Sequence, residues 1–196
     1  MKIYQPKLIA IGLFMASVQS HAQFKFPVTN NELRNNLSKV ISDFPNQFSA
    51  LKSDTISSGP QTIEFATRLD FKEAENNSIV EYKSANNPLY SWQAVLLNTE
   101  DFEEASKKYK WLYNQLKVMT VKLEGGYSFT LSGDFDAPDE SKKFSSSVFK
   151  LTPNASNMPK LKIEASMQFE FPQWKVSLLV YEKEREDSER GDINGD

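Results

Sequence analysis

Asp134, Asp136 and Asp139, with Glu140 beside them, form the densest run of hard oxygen donors in the chain. Calcium takes about six to eight such oxygens, often from a loop of alternating acids, so these three aspartates are the candidate metal ligands. The run lacks the central glycine and distal glutamate of an EF-hand loop, and Asp and Pro also shape turns without any metal. Glu64, Glu164 and Glu170 are the acids expected on the open face of a sheet. A pair of them could hydrolyse a glycosidic bond if held roughly 5–9 Å apart across a sugar-sized cleft. Other catalytic chemistry is short of parts, because the one histidine is His21 and there is no cysteine. A serine triad, a thiol nucleophile and a zinc site of the common kind all need residues this chain lacks beyond position 21.

Aromatic side chains are the other resource, with 14 Phe, 7 Tyr and 3 Trp. Most fall on stripes that face inward, where packing accounts for them. Trp111 flanks the apolar stripe of its helix, which places Trp111 and the nearby Tyr113 at a rim. These two are the candidate ligand- or partner-binding residues, weighed against a simple widening of the core face.

Two helices and a set of strands must position these groups. The spacing Thr29-Asn30-Asn31-Glu32 predicts a capping box. Leu33, Leu37, Val40, Ile41 and Phe44 then recur at helical intervals until Phe44-Pro45 ends the run. Ser53 to Gln61 reads as a loop. Alternation of Ile63, Phe65, Leu69 and Phe71 with polar residues predicts a half-exposed strand, followed by Ile79–Tyr82 and Leu89–Leu97. Thr99 is expected to cap a second helix, whose stripe is Phe102, Ala105, Tyr109, Leu112, Leu116 and Met119. Acids at its start and lysines along its later part complement the macrodipole. Strands follow at Tyr127–Leu131, Phe144–Leu151, Leu161–Phe171 and Trp174–Tyr181. Phe171-Pro172-Gln173-Trp174 allows only a tight reversal, so the last two pair as a hairpin.

The predicted fold is therefore α+β: two helices packed on an antiparallel meander sheet. Leu69-Asp70-Phe71-Lys72-Glu73-Ala74 and Gly133-Asp134-Phe135-Asp136-Ala137 leave their strands through similar acidic turns, which suggests a duplicated helix-plus-strands unit.

Residues 1–22 read as a secretory signal peptide. Lys2 and Lys7 precede the apolar run Leu8–Val18, and Ser20-His21-Ala22 forms the cleavage box. The run is shorter than the roughly 20 residues that cross a bilayer. No lipobox cysteine follows the cut, so a periplasmic or secreted location and no membrane insertion are expected. Residues 23–183 form the single α+β domain and 184–196 a charged flexible tail, rich in acids with little to bury. Loss of Lys2 and Lys7 leaves 21 basic and 26 acidic side chains, a net charge of −5. That balance argues against nucleic acid as a partner.

Tyr90-Ser91-Trp92-Gln93-Ala94 and Glu184-Arg185-Glu186-Asp187-Ser188-Glu189-Arg190-Gly191 resemble segments of small exported Bacteroidota proteins of unassigned activity. Asp54-Thr55-Ile56 is similar to the short O-glycosylation acceptor pattern of that group. The resemblance transfers no catalytic residue. The helix-and-meander layout also resembles secretion-chaperone-type domains, which bind protein segments on a sheet and dimerise. The expectation is a non-catalytic exported module for a peptide, protein partner or apolar ligand, with no cofactor and with homodimerisation as one form of partner. A carboxylate-dependent hydrolase and a calcium-binding envelope protein are the alternatives.

Overall fold

In the computed structural model, residues 30–83, 88–123 and 126–182 are described. The predicted signal peptide, the Thr29 cap, the Asn86-Asn87 turn and the tail at 184–196 lie outside them. The first helix, α1 (Asn31–Asp43), starts from an Asn30 side chain that accepts hydrogen bonds from the Glu32 and Leu33 N–H groups at 2.9 and 3.1 Å. Asn30 therefore does the work expected of Thr29, one residue on, because its carbonyl oxygen reaches the same orphan donors. After a 3-10 turn at Phe44–Asn46, four strands follow: β1 (Lys52–Ser58), β2 (Thr62–Thr67), β3 (Asn76–Tyr82) and β4 (Leu89–Thr99).

The second helix, α2 (Phe102–Lys117), is capped by Asp101 rather than Thr99. The Asp101 carboxylate accepts from Glu103 N–H at 2.8 Å and Glu104 N–H at 3.2 Å. Thr99 braces the turn from outside, accepting from Asp101 N–H and donating to the Glu104 carboxylate. The chain closes with β5 (Thr120–Lys122), β6 (Ser128–Ser132), β7 (Phe144–Thr152), β8 (Leu161–Glu170) and β9 (Gln173–Glu182).

The nine strands form one antiparallel sheet in the order β1-β2-β3-β4-β9-β8-β7-β6-β5. The fold is α+β as expected, with the sheet outweighing the helices. Two meanders meet at its centre, where β4 pairs with β9, Trp92 opposite Val180 and Ala94 opposite Leu178. The β8–β9 hairpin turns within Phe171-Pro172, since Glu170 pairs with Gln173. Two strands were not legible. The first, β1, is a polar edge strand exposed from Asp54 to Ser58 and broken by two register shifts, so it shows no alternation. The other, β5, spans three residues only.

One core joins the stripes of both helices to the inward positions of the sheet, with Trp92, Tyr109, Phe48 and Phe149 fully buried. Leu69 and Phe71, expected to extend β2, instead plug the core from the connection to β3, where Phe71 stacks on Trp92 with ring centres 5.9 Å apart. No helix among the described residues is long and apolar enough to cross a membrane.

Candidate functional site

Trp111 is half-buried on α2. It packs against the core, and it also lines an open groove of about 820 Å³ along α2. Glu103, Lys107, Lys110 and Asn114 share that groove, so its charges are mixed rather than of one sign. The Lys108 ammonium sits 4.6 Å from the centre of the Trp111 ring, within cation–π range. At the far end of the groove, the Gln115 side chain accepts a hydrogen bond from Asn30 N–H at 2.6 Å and ties α2 to the start of α1.

Tyr113 does not share this position. It is 8% exposed, and its hydroxyl donates to the Gly133 carbonyl at 3.3 Å. Its ring lies 4.7 Å from Phe135 and 5.4 Å from Phe149, centre to centre. Tyr109, Tyr113 and Leu116 recur at four- and three-residue steps, which puts Tyr113 on the core face. Of the two expected rim residues, only Trp111 remains at the rim.

The acidic loop is held by contacts of its own. One oxygen of Asp136 accepts from Ser146 N–H at 3.1 Å, and the other lies 3.7 Å from the Lys142 ammonium. Asp139 caps the 3-10 turn at Glu140–Lys142, taking both the N–H and the hydroxyl of Ser141 at 2.9 and 2.7 Å. Those two hydrogen bonds hold its carboxyl below its ordinary pKa. Asp134 is exposed. Among the described residues no three Asp, Glu, His or Cys side chains converge as a metal site, so the loop does not bring Asp134, Asp136 and Asp139 together.

The acids of the open sheet face are also apart. Glu64 lies on β2, four strand steps from Glu164 on β8, or about 19 Å at 4.8 Å per step. Glu170 is six residues along β8 from Glu164, about 20 Å at 3.3 Å per residue. Each separation exceeds the roughly 5–9 Å of a glycosidase pair. Glu164 accepts from the Ser146 and Tyr181 hydroxyls, and Glu170 pairs with Lys175.

A second cleft, of about 370 Å³, opens beyond the end of α1, where Phe44, Phe48, Tyr90, Met158 and Pro159 meet below the Lys160–Glu182 ion pair. Gln47 and Phe48 in its wall both take left-handed backbone, at φ 57° and 56°. Such non-glycine conformations cost about 1–3 kcal/mol each and need their surroundings to enforce them. Phe48 N–H donates to the Asp43 carbonyl at 3.0 Å, and Leu51 N–H donates to the buried Asp43 carboxylate at 3.0 Å. Burial and the hydrogen bond to Glu81 raise the Tyr90 pKa above its ordinary value. The sequence showed no such cleft, because its walls come from four separate segments; Phe44-Pro45 read only as a helix end.

Asp54-Thr55-Ile56 lies on the edge strand β1 with all three residues exposed. No protein-family model matches the chain, and no curated protein or solved structure matches it.

Proposed function

We propose that the chain is a non-catalytic binding module, exported to the periplasm or the cell exterior, that engages a peptide or protein partner along α2 around Trp111. The observation that carries this reading is the double role of Trp111, packed against the core and lining an open groove. A large ring anchored in this way is the kind of side chain that dominates protein interfaces. The mixed charges of Glu103, Lys107 and Lys110 suit a protein surface better than a polyanion. The wide spacing of Glu64, Glu164 and Glu170 counts against the hydrolase, and the separate duties of Asp136 and Asp139 count against the calcium protein.

Absence of cysteine makes a direct test simple. Asn114→Cys gives a single attachment point in the groove for a photoactivatable maleimide. Illumination in an envelope extract of the native host should yield one discrete adduct, lost in the Asn114→Cys/Trp111→Ala protein. A labelled protein that yields no adduct, or the same adduct without Trp111, contradicts the reading.

An apolar ligand is the second reading, favoured by the strained Gln47-Phe48 wall of the smaller cleft. We also read the fold as a duplicated helix-plus-strands unit. Its support is that each helix grips an acidic turn by a backbone carbonyl: Asn36 donates to Asp70 O at 3.3 Å, and Tyr109 to Asp136 O at 3.1 Å. Both turns follow the second strand after their helix.

A further inference from the structure

The sheet face that points away from the core carries an unexpected row of small, shielded side chains. Val95 is 8% exposed, yet it alone among the buried apolar residues described stands outside the core cluster. The strand register places it beside Ser177 on β9, then Ser166 on β8 and Ser146 on β7. Ser177 and Ser166 are also 8% exposed. Longer side chains flank this row on both sides. On one side stand Gln93, Leu179 and Glu164 in register, with the shorter Val148 closing the row on β7; on the other stand Lys175, Gln168 and Phe144, on β9, β8 and β7. Short residues between two ranks of long ones make a trough that crosses four strands, about 14 Å at 4.8 Å per step.

Its chemistry is specific. The charged groups are already engaged: Glu164 accepts from Ser146 and Tyr181, and Lys175 pairs with Glu170. The Ser146 hydroxyl is taken by Glu164, and the Gln93 amide N–H donates to the Ser78 hydroxyl at 3.2 Å, which leaves the Gln93 side-chain oxygen, the Gln168 amide and the remaining serine hydroxyls. Among the described residues, neither the Ser166 nor the Ser177 hydroxyl has a hydrogen-bond partner. On the same face the Ser91 hydroxyl, in a residue 5% exposed, is also unpartnered. At one end stands Phe144, a residue 48% exposed. A protein interface would centre on large apolar anchors and desolvated pockets. Here the floor is serine, the walls carry amides, and the exposed aromatic residue stands at the edge. The neutral balance matches an uncharged ligand rich in hydroxyl groups.

We propose that this trough binds an uncharged glycan laid across β4, β9, β8 and β7, with the Gln168 amide and the Gln93 side-chain oxygen hydrogen-bonding its hydroxyls and Phe144 stacking on a sugar face. The site is separate from the α2 groove and does not depend on it.

The test is native electrophoresis of the whole chain through gels containing laminarin, galactomannan or hydroxyethylcellulose, with polygalacturonate as the carboxylated comparison, backed by a printed array of neutral and acidic glycans. At least one neutral glycan should retard or capture the protein, and polygalacturonate should not. Ser166→Tyr, which fills the trough, should abolish the interaction. Gln168→Ala, which leaves the backbone and core untouched, should weaken it roughly tenfold. Trp111→Ala should leave it intact, so loss of partner binding at α2 and loss of glycan binding are told apart. The proposal is overturned if no neutral glycan binds, if acidic glycans alone bind, or if the Ser166→Tyr and Gln168→Ala proteins bind as the parent does.

Discussion

The Tyr109 hydroxyl of α2 lies 2.7 Å from the Ser147 hydroxyl of β7, at the inner side of the acidic loop. Asp136 closes the ring from both ends, since its N–H donates to Ser147 Oγ at 3.1 Å and its carbonyl accepts from Tyr109 at 3.1 Å. Three groups from a helix, a strand and a loop thus satisfy one another where water has little access. Such a closed set is costly to open, because each member left behind is a desolvated polar group.

Tyr109→Phe should therefore lower stability by about 1–2 kcal/mol at pH 7, read from the urea midpoint. It should also change the alkaline limb. Burial is the main cause that pushes the Tyr109 pKa up to about 12 from 10. A raised folded-state pKa means that this contribution is intact below pH 10 and is lost as pH rises from about 10 to 12. The variant should lose less stability than the parent over that window. An identical alkaline loss in both would contradict the assignment.

Gly133 has a steric duty. A Cβ there would stand 2.4 Å from the Val148 carbonyl oxygen and 3.0 Å from the Phe149 ring. Backbone on one side and a fully buried ring on the other leave nothing that yields easily. Gly133→Ala should cost about 1–3 kcal/mol, the range for overpacking, and equilibrium unfolding would show it.

Asp136 and Asp139 serve backbone N–H groups, so millimolar calcium and a chelator should give the same melting temperature. Asp136→Asn should destabilise the chain to the same extent in both buffers. A clear rise in melting temperature with calcium, absent from the Asp136→Asn protein, would restore the metal site.

The tryptophans should separate by burial. Trp92 is fully buried and stacked on Phe71, so Trp92→Ala should cost about 3–5 kcal/mol. Trp111, which lines an open groove, should cost about 1 kcal/mol when replaced by Ala. Comparable losses for the two would mean that Trp111 is a core residue only.

Periodicity made the regular parts of this fold legible in advance. The stripe from Phe102 to Met119 announced α2, and the alternation from Leu161 to Phe169 announced β8, because each gathers its large apolar side chains on one side. The cap positions slipped by one or two residues, since Thr29-Asn30 and Thr99 to Asp101 each offer more than one side-chain oxygen. Strand β1 was hidden because both of its faces are exposed along most of its length. Tyr113 reads as a rim residue beside Trp111; only the packing of Phe135 and Phe149 shows that it is covered. The trough was invisible for another reason. Ser146, Ser166, Ser177 and Val95 come from four strands, and their register is set by tertiary pairing.

The central claim, a binding role centred on Trp111, is tested most directly by native mass spectrometry of the protein purified from its own host's envelope. The parent chain should carry the added mass of a second chain or peptide, and the Trp111→Ala chain should be bare. A bare parent chain, or equal added mass on both proteins, would contradict it.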